Sequence, residues 1–187
     1  MILFVFILGT VASGVLMGME LLTAQRIEAN QEVELRRTVL EAFDIPYKMT
    51  TINEVYEKEI TIKSIEGLSY YVSPSDEIGF TYEGSGVWGP IKGFVAVDAA
   101  IETLRYVAVL QQEETPGLGG VVAEAPFLEQ FVGVKVVPSL EINQSADPSK
   151  ENEVEAITGA TRTSKAFETI LNSEIGRYRL TWQQRED

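Results

Sequence analysis

The sequence of 187 residues contains no cysteine and no histidine. This composition excludes thiolate-held iron–sulfur clusters, His-ligated haem, His/Cys zinc sites, disulfides, and catalytic triads or thiol nucleophiles that need those side chains. Lys and Arg number 15 against 28 Asp and Glu, and the resulting charge of −13 argues against binding to nucleic-acid phosphates.

An apolar segment opens the chain, because the first charged side chain is Glu20. A helix over residues 1–19 would span about 28 Å, which is close to the hydrocarbon thickness of a bilayer. A cleaved signal peptide is the alternative, but the basic region that normally begins such a peptide is missing. We therefore predict a transmembrane helix over residues 1–22, in contact with lipid. Apolar residues then continue at helical spacing, which predicts a helical stalk over residues 23–45 that ends before Pro46.

Strand-like patterns dominate from about residue 59 onward. Turn signals at residues 66–67, 73–75 and 83–84 separate short runs of β-rich residues. The last helix is predicted at about 164–177, with its buried face formed by Phe167, Ile170, Leu171 and Ile175. Between these regions we predict paired strands at 94–97 and 104–110, a short helix at 126–131, a strand at 134–137 and a polar loop at 143–152. The predicted fold class is α+β, with one N-terminal transmembrane helix, a mostly antiparallel-sheet domain over residues 46–187 and a C-terminal helix.

A run of small and hydroxyl residues, Glu155-Ala156-Ile157-Thr158-Gly159-Ala160-Thr161, lies just before the predicted last helix. Backbone N–H groups at a helix N-terminus favour a phosphate, and a glycine permits the close backbone approach that such binding needs. Thr163 or Ser164 can cap the helix. Arg162 and Lys165 are near enough in sequence to offset the negative charge of a phosphodiester, with a solvated side chain as the alternative. Taken alone, the run is better explained as an ordinary loop before a capped helix, because short motifs recur by chance.

A second run, Glu114-Thr115-Pro116-Gly117-Leu118-Gly119, follows the strand predicted to end near Leu110, and Gly-Val-Trp-Gly stands at 86–89. The threonine run resembles the flavinylation motif Asp-x-x-(Ser/Thr)-Gly-Ala-Thr. With the second run in this order, the chain resembles the FMN-binding domain of the flavin-carrying G subunit of the Rnf electron-transport complex. It also resembles the C subunit of the sodium-translocating NADH:quinone reductase. The compact length favours the Rnf subunit, because the other relative is generally longer.

The resemblance implies a covalent flavin site, in which FMN is bound to Thr161 through a phosphoester. A flavin transferase that takes FMN from FAD with magnesium reads this motif, whose first residue is Asp where Glu155 stands here. Thr161 is then an acceptor, so we predict no catalytic residue and no metal ligand in this chain. Trp88 could stack on the ring, with an ordinary core or surface aromatic as the alternative. The remaining residues of the predicted site are Thr158, Gly159, Ala160 and Thr163 beside the acceptor, and Glu114, Thr115, Leu118 and Gly119 on the isoalloxazine side.

The main functional hypothesis is a membrane-anchored electron carrier in a Rnf-type ferredoxin:NAD oxidoreductase that couples electron transfer to ion translocation. Such a subunit would act with other membrane and peripheral subunits, meet the flavin transferase during maturation, and catalyse nothing alone. The C-type quinone-reductase subunit or a stand-alone membrane flavoprotein is the first alternative, and a non-redox membrane-tethered binding domain is the second. The resemblance places the domain on the extracytoplasmic side of the cell (inner) membrane. The arginines that follow the helix, Arg26, Arg36 and Arg37, favour the cytoplasmic side instead.

Overall fold

A five-stranded antiparallel sheet is the centre of the computed structural model, which describes residues 1–184. Its strands lie side by side in chain order: β1 (Thr61–Ile65), β2 (Leu68–Val72), β3 (Ile78–Ser85), β4 (Pro90–Val97) and β5 (Leu104–Gln111). Two short strands, β6 (Glu141–Asn143) and β7 (Glu153–Glu155), form a separate parallel pair. The α-helices are α1 (Ile2–Ala42), α2 (Ile52–Glu59), α3 (Ala125–Leu128) and α4 (Thr161–Gln184), with 3₁₀ turns at Gly119–Ala123 and Glu129–Phe131.

The chain divides into two compact units, one of residues 1–35 and one that begins at Arg36. The first unit is helical and exposes nearly all of its large apolar side chains. Among residues 1–184, α1 is the one helix whose length and composition suit a membrane span. So large an exposed apolar surface is unfavourable in water, so this unit needs lipid or partner helices around it.

One face of the sheet packs against α4, whose apolar side chains recur at helical spacing. The Phe80 and Tyr178 rings stack with centroids 4.0 Å apart, and the Tyr70 hydroxyl donates to the Tyr178 carbonyl at 2.9 Å. Gly84 permits a close approach here, because a Cβ at this position would lie 2.5 Å from Cγ1 of Ile170. The predicted buried face of the last helix is confirmed.

The opposite face of the sheet is covered by residues that follow Arg36 in the second unit. Phe43 and Phe94 form an edge-to-face pair with centroids 6.2 Å apart, and Tyr71 contacts the same Phe94 ring at 5.5 Å. Gly79 lies beneath Phe43, since a Cβ there would be 3.0 Å from the end of that ring. Both faces of the central strands are therefore buried, which explains their nearly continuous apolar sequence.

Most predicted elements of the domain are present, including the β4–β5 pair, the short helix near residues 126–131, and the polar loop. The predicted break at residues 83–84 is wrong, because Gly84 lies within β3, opposite Ile91, and provides the space that Ile170 fills. The predicted strand at 134–137 is also wrong. That segment makes an isolated bridge from Lys135 to Thr103 and is otherwise irregular. The eight-residue α2 and the parallel β6–β7 pair were not predicted.

The last helix begins earlier and ends later than predicted, at Thr161 and Gln184. Thr163 and Ser164 are therefore not caps but buried residues of the first turn. Ser164 reaches back to the preceding loop, where its Oγ accepts the Ile157 N–H at 3.0 Å and donates to the Ala160 carbonyl at 3.1 Å. These two hydrogen bonds hold the preceding loop against the first turn of the helix.

Candidate functional site

A cavity of about 370 Å³ lies where three segments of the second unit meet. The segments are the β3–β4 turn, the loop at residues 114–119 that follows β5, and the start of α4. The structure thus brings together every predicted site residue except Thr158, which is exposed outside the lining. The lining residues are Val87, Trp88, Glu114, Thr115, Leu118, Gly119, Gly159, Ala160, Thr161, Arg162 and Thr163.

A tight turn connects β7 to α4. The Ala160 N–H donates to the Ile157 carbonyl at 3.0 Å, and Gly159, the third residue of this turn, has φ of 80°. A type II turn requires such a positive φ at its third residue, which explains the glycine. Thr161 is consequently the first residue of α4, where the N–H groups of the first helical turn have no intrahelical partner.

The surroundings of Thr161 favour an anion. The side chain is exposed, and its Oγ1 accepts a hydrogen bond from Gln144 Nε2 at 2.7 Å. The helix N-terminus contributes partial positive charge, and the exposed Arg162 side chain lines the cavity without an ion pair among residues 1–184. Lys165, also expected to balance a phosphate, pairs with Glu168 at 2.7 Å instead. A phosphate esterified to Thr161 would therefore face free N–H donors and one cationic side chain.

Glu114 is a buried carboxylate, 4% exposed, that links all three segments of the cavity. One oxygen accepts the N–H groups of Val87 at 2.7 Å and Trp88 at 3.1 Å. The other accepts the Thr163 hydroxyl at 2.8 Å, near the N-terminus of α4. Burying a carboxylate is costly without such donors, so these contacts and the helix dipole explain how it is accommodated.

Two glycines make room for this carboxylate. A Cβ at Gly86 would lie 2.5 Å from Glu114 Oε1, and a Cβ at Gly119 would lie 2.6 Å from both Glu114 Oε2 and Thr163 Oγ1. Gly86 and Gly119, one in each loop motif, therefore permit the close contact between the loops. Both carboxylate oxygens are used by protein donors, so the main role of Glu114 in this geometry is to fix the walls of the cavity.

The rim of the cavity presents two large apolar side chains to solvent. Trp88 is 71% exposed and Leu118 is 48% exposed, although both line the cavity. Trp88 is therefore a surface aromatic and not part of the core. An apolar rim beside an anion-favouring helix start suits a flat ring with a phosphate tail, and pockets for small ligands are commonly about 300–1,000 Å³. The residues present fit FMN.

Two residues around Thr161, Val87 and Gln144, were not predicted as site residues. Val87 contributes its backbone N–H, which no side-chain pattern reveals. Gln144 lies in the predicted polar loop, 17 residues before Thr161, and only the fold brings the two together.

Residues 86–175, just under half of the chain, match the family described as the FMN-binding domain. The matched segment contains every residue that lines the cavity. FMN, the predicted cofactor, agrees with the family description.

The curated relatives include the C subunit of the Na⁺-translocating NADH-quinone reductase. The protein from Haemophilus ducreyi is 34% identical over 112 residues, which are 54% of this chain and 44% of the relative. The protein from Vibrio anguillarum is 32% identical over 119 residues, which are 59% of this chain and 47% of the relative. The chain thus aligns with less than half the length of these two relatives.

Two solved structures share the fold. The crystal structure of NqrC from Shewanella oneidensis has a TM-score of 0.72 at 17% identity, over 83% of this chain and 98% of the other. The C subunit of the Na⁺-translocating NADH-quinone reductase from Parabacteroides distasonis has a TM-score of 0.67 at 21% identity, over 82% and 95%. The antiparallel sheet and C-terminal helix are therefore the architecture of these subunits.

Proposed function

We propose that the chain is a membrane-anchored electron carrier, equivalent to the C subunit of an ion-translocating NADH-quinone reductase, with FMN bound to Thr161 as a phosphoester. The curated relatives favour this assignment over a Rnf G subunit, which remains the related alternative. The observation that supports it best is the convergence of the loops at 86–89 and 114–119 on Thr161, around one cavity within the FMN-binding segment.

The residues of the chain bind and orient the cofactor. Thr161 supplies the hydroxyl for attachment, while Arg162 and the start of α4 balance the charge of the phosphate. Trp88 and Leu118 provide apolar contact for the ring. Glu114 fixes the loops that bear these side chains. Bound FMN supplies the electron-transfer chemistry, which amino-acid side chains lack.

The apolar part of α1 anchors the protein in the membrane, where the other subunits of the complex are its partners. A flavin transferase is the partner during maturation, and it requires an accessible acceptor. The exposed Thr161 and the exposed Glu155 at the start of the motif meet that requirement. We propose that the domain faces the extracytoplasmic side.

Substitution of Thr161 by valine tests the attachment. Thr161→Val keeps the shape of the side chain but removes the oxygen, so a normally folded protein without covalent flavin is expected. Thr158→Val is the matched control, because Thr158 is exposed and does not line the cavity. Each variant, produced with a flavin transferase, is denatured and examined for in-gel flavin fluorescence and for the FMN mass increment.

A fluorescent Thr161→Val protein would overturn the assignment of the acceptor. Wild-type protein without any covalent flavin would overturn the proposed function and leave the membrane-tethered binding domain. The subunits that co-purify with the wild-type chain distinguish a quinone-reductase complex from a Rnf complex.

A further inference from the structure

A polar stripe on α4 hydrogen-bonds the segment that contains β6. The stripe consists of Thr161, Lys165, Glu168 and Asn172, whose spacing of four, three and four residues places them on one helix face. Their partners are residues of the segment 140–144, which lies antiparallel to the helix, so that the first of these residues contacts Asn172 and the last contacts Thr161. Asn172 exchanges two hydrogen bonds with the Leu140 backbone, Glu168 accepts the Ile142 N–H, Lys165 donates to Asn143 Oδ1, and Gln144 donates to Thr161 Oγ1.

The same segment is fixed a second time by its pairing with β7. Asn143 lies opposite Glu155, and its carbonyl accepts the Ala156 N–H at 2.8 Å. Only four residues separate Ala156 from Thr161. The end of β6 is therefore attached both to the strand that leads into the motif and to the helix that leaves it. Gln144 follows directly, so its backbone is held close to Thr161.

We propose that Gln144 is a positioning residue for flavin attachment, an inference that rests on the proposed function. Its Nε2 group donates to one lone pair of the Thr161 hydroxyl at 2.7 Å and so limits the rotation of that side chain. The second lone pair and the hydroxyl proton stay available, because the side chain is exposed. After esterification, an amide N–H donor at this place can hydrogen-bond to a phosphate oxygen.

The chemistry of attachment is a balanced phosphoryl transfer from FAD. A bond forms between Thr161 Oγ and the phosphorus of the FMN half, and the pyrophosphate bond to the AMP half breaks. The hydroxyl proton goes to the base of the flavin transferase, and AMP departs with the electron pair of the broken bond. Gln144 contributes no proton and no bond to this reaction; it orients the nucleophile and stabilises incoming negative charge.

The test measures the rate of attachment in the full chain, which is purified unmodified in detergent and then mixed with a flavin transferase, FAD and magnesium. Covalent flavin is followed over time by in-gel fluorescence and intact mass. Gln144→Ala is expected to slow attachment about fivefold, as for one lost hydrogen bond of about 1 kcal/mol. Gln144→Glu, of the same shape, is expected to slow it about tenfold or more, because an anion replaces the donor. Gln144→Lys retains a donor and is expected to stay near the wild-type rate.

Ser145→Ala, at the next exposed position of the same loop, is the control and should match wild type. The melting temperature of each variant separates positioning from folding. Equal rates for wild type, Gln144→Ala and Gln144→Glu would overturn the role of Gln144 and leave the proposed function intact. A similar loss in all three variants at position 144, with lowered melting temperatures, would show a structural role and overturn it too. Unmodified wild type would overturn the proposed function itself.

Discussion

Glu114 lies buried between segments that are distant in sequence, with Thr163 as its partner across 49 residues. Removal of one partner from a buried hydrogen-bonded carboxylate leaves the charge with fewer donors, which costs more than an ordinary hydrogen bond contributes. The geometry of the cavity therefore depends on this contact.

Substitution of Thr163 by valine should consequently destabilise the domain, by about 1–3 kcal/mol. Thr169→Val is the matched control on the same helix, because Thr169 is exposed and its side chain bonds, among residues 1–184, only to the carbonyl of Lys165. That change should stay within about 0.5 kcal/mol. Thermal melts of the purified proteins followed by circular dichroism provide the comparison. Equal melting temperatures for the two variants would contradict a structural role for the Glu114–Thr163 contact.

Among the helices and strands, sequence patterns predicted the features that depend on residues close together in the chain. The apolar face of α4 and the strand pair follow from the spacing of apolar and β-rich residues within each segment. The errors arose where contacts with residues distant in sequence determine the structure. Gly84 resembles a turn signal, but it lies within β3, where the absence of a side chain makes room for Ile170. The helix α2 has only two buried side chains, Ile52 and Tyr56, too few for a periodic pattern.

The candidate site likewise has parts that the sequence predicted and parts that it did not. The motif that ends at Thr161 and the loop at 114–119 were recognisable as short runs, each complete within a few residues. The contacts that bring them together, from Glu114 to Thr163 and from Gln144 to Thr161, join residues on different elements. Sequence patterns specify which side chains are available, but tertiary packing decides which of them meet.

The β6–β7 pair should be sensitive to acid through Glu153. A hydrogen bond from Asn143 at 2.6 Å and an ion pair with Lys150 at 3.1 Å lower the pKa of this carboxyl below its ordinary value. Because the folded-state pKa is the lower one, these contacts stabilise the fold at neutral pH. Their contribution is lost as the pH falls below about 4 and through the folded-state pKa.

Glu153→Gln removes this titration, so the variant should melt below wild type at pH 7 and close to it near pH 3. Circular dichroism melts of both proteins at the two pH values measure the change. Glu155→Gln, on the exposed end of the same strand, serves as the control for loss of a surface charge. A difference between wild type and Glu153→Gln that stays constant with pH would contradict the expectation.

At the scale of the whole molecule, the boundary between the two units defines where the chain can be cut. Deletion of residues 1–35 removes exposed apolar surface and should yield a soluble, folded domain. Deletion of residues 1–43 also removes Val39, Leu40 and Phe43, which are buried in the second unit. That loss should destabilise the domain by several kcal/mol, since each large core truncation costs about 2–5 kcal/mol. Gel filtration and melting curves compare the two proteins. Equal elution and equal melting temperatures would show that the folded domain begins after residue 43.

The side of the membrane that the domain occupies can be tested because the chain lacks cysteine. Ser145→Cys introduces one thiol on an exposed loop. We expect a membrane-impermeant reagent to label it in intact spheroplasts, with unsubstituted protein as the control. Labelling only after lysis would show that the domain is cytoplasmic, as the arginines after the apolar segment suggest.

Thr161, the proposed acceptor at the first residue of α4, lies beside a cavity that is shallow enough to leave Trp88 and Leu118 largely in solvent. A cofactor held there by noncovalent contacts alone would be lost by dilution whenever it left the cavity. The proposed covalent link would change this, because a tethered ring would remain at millimolar effective concentration over its own site. Retention would then no longer depend on affinity. The ring could leave the cavity, meet a redox partner and return, so weak docking would favour the proposed role of electron carrier.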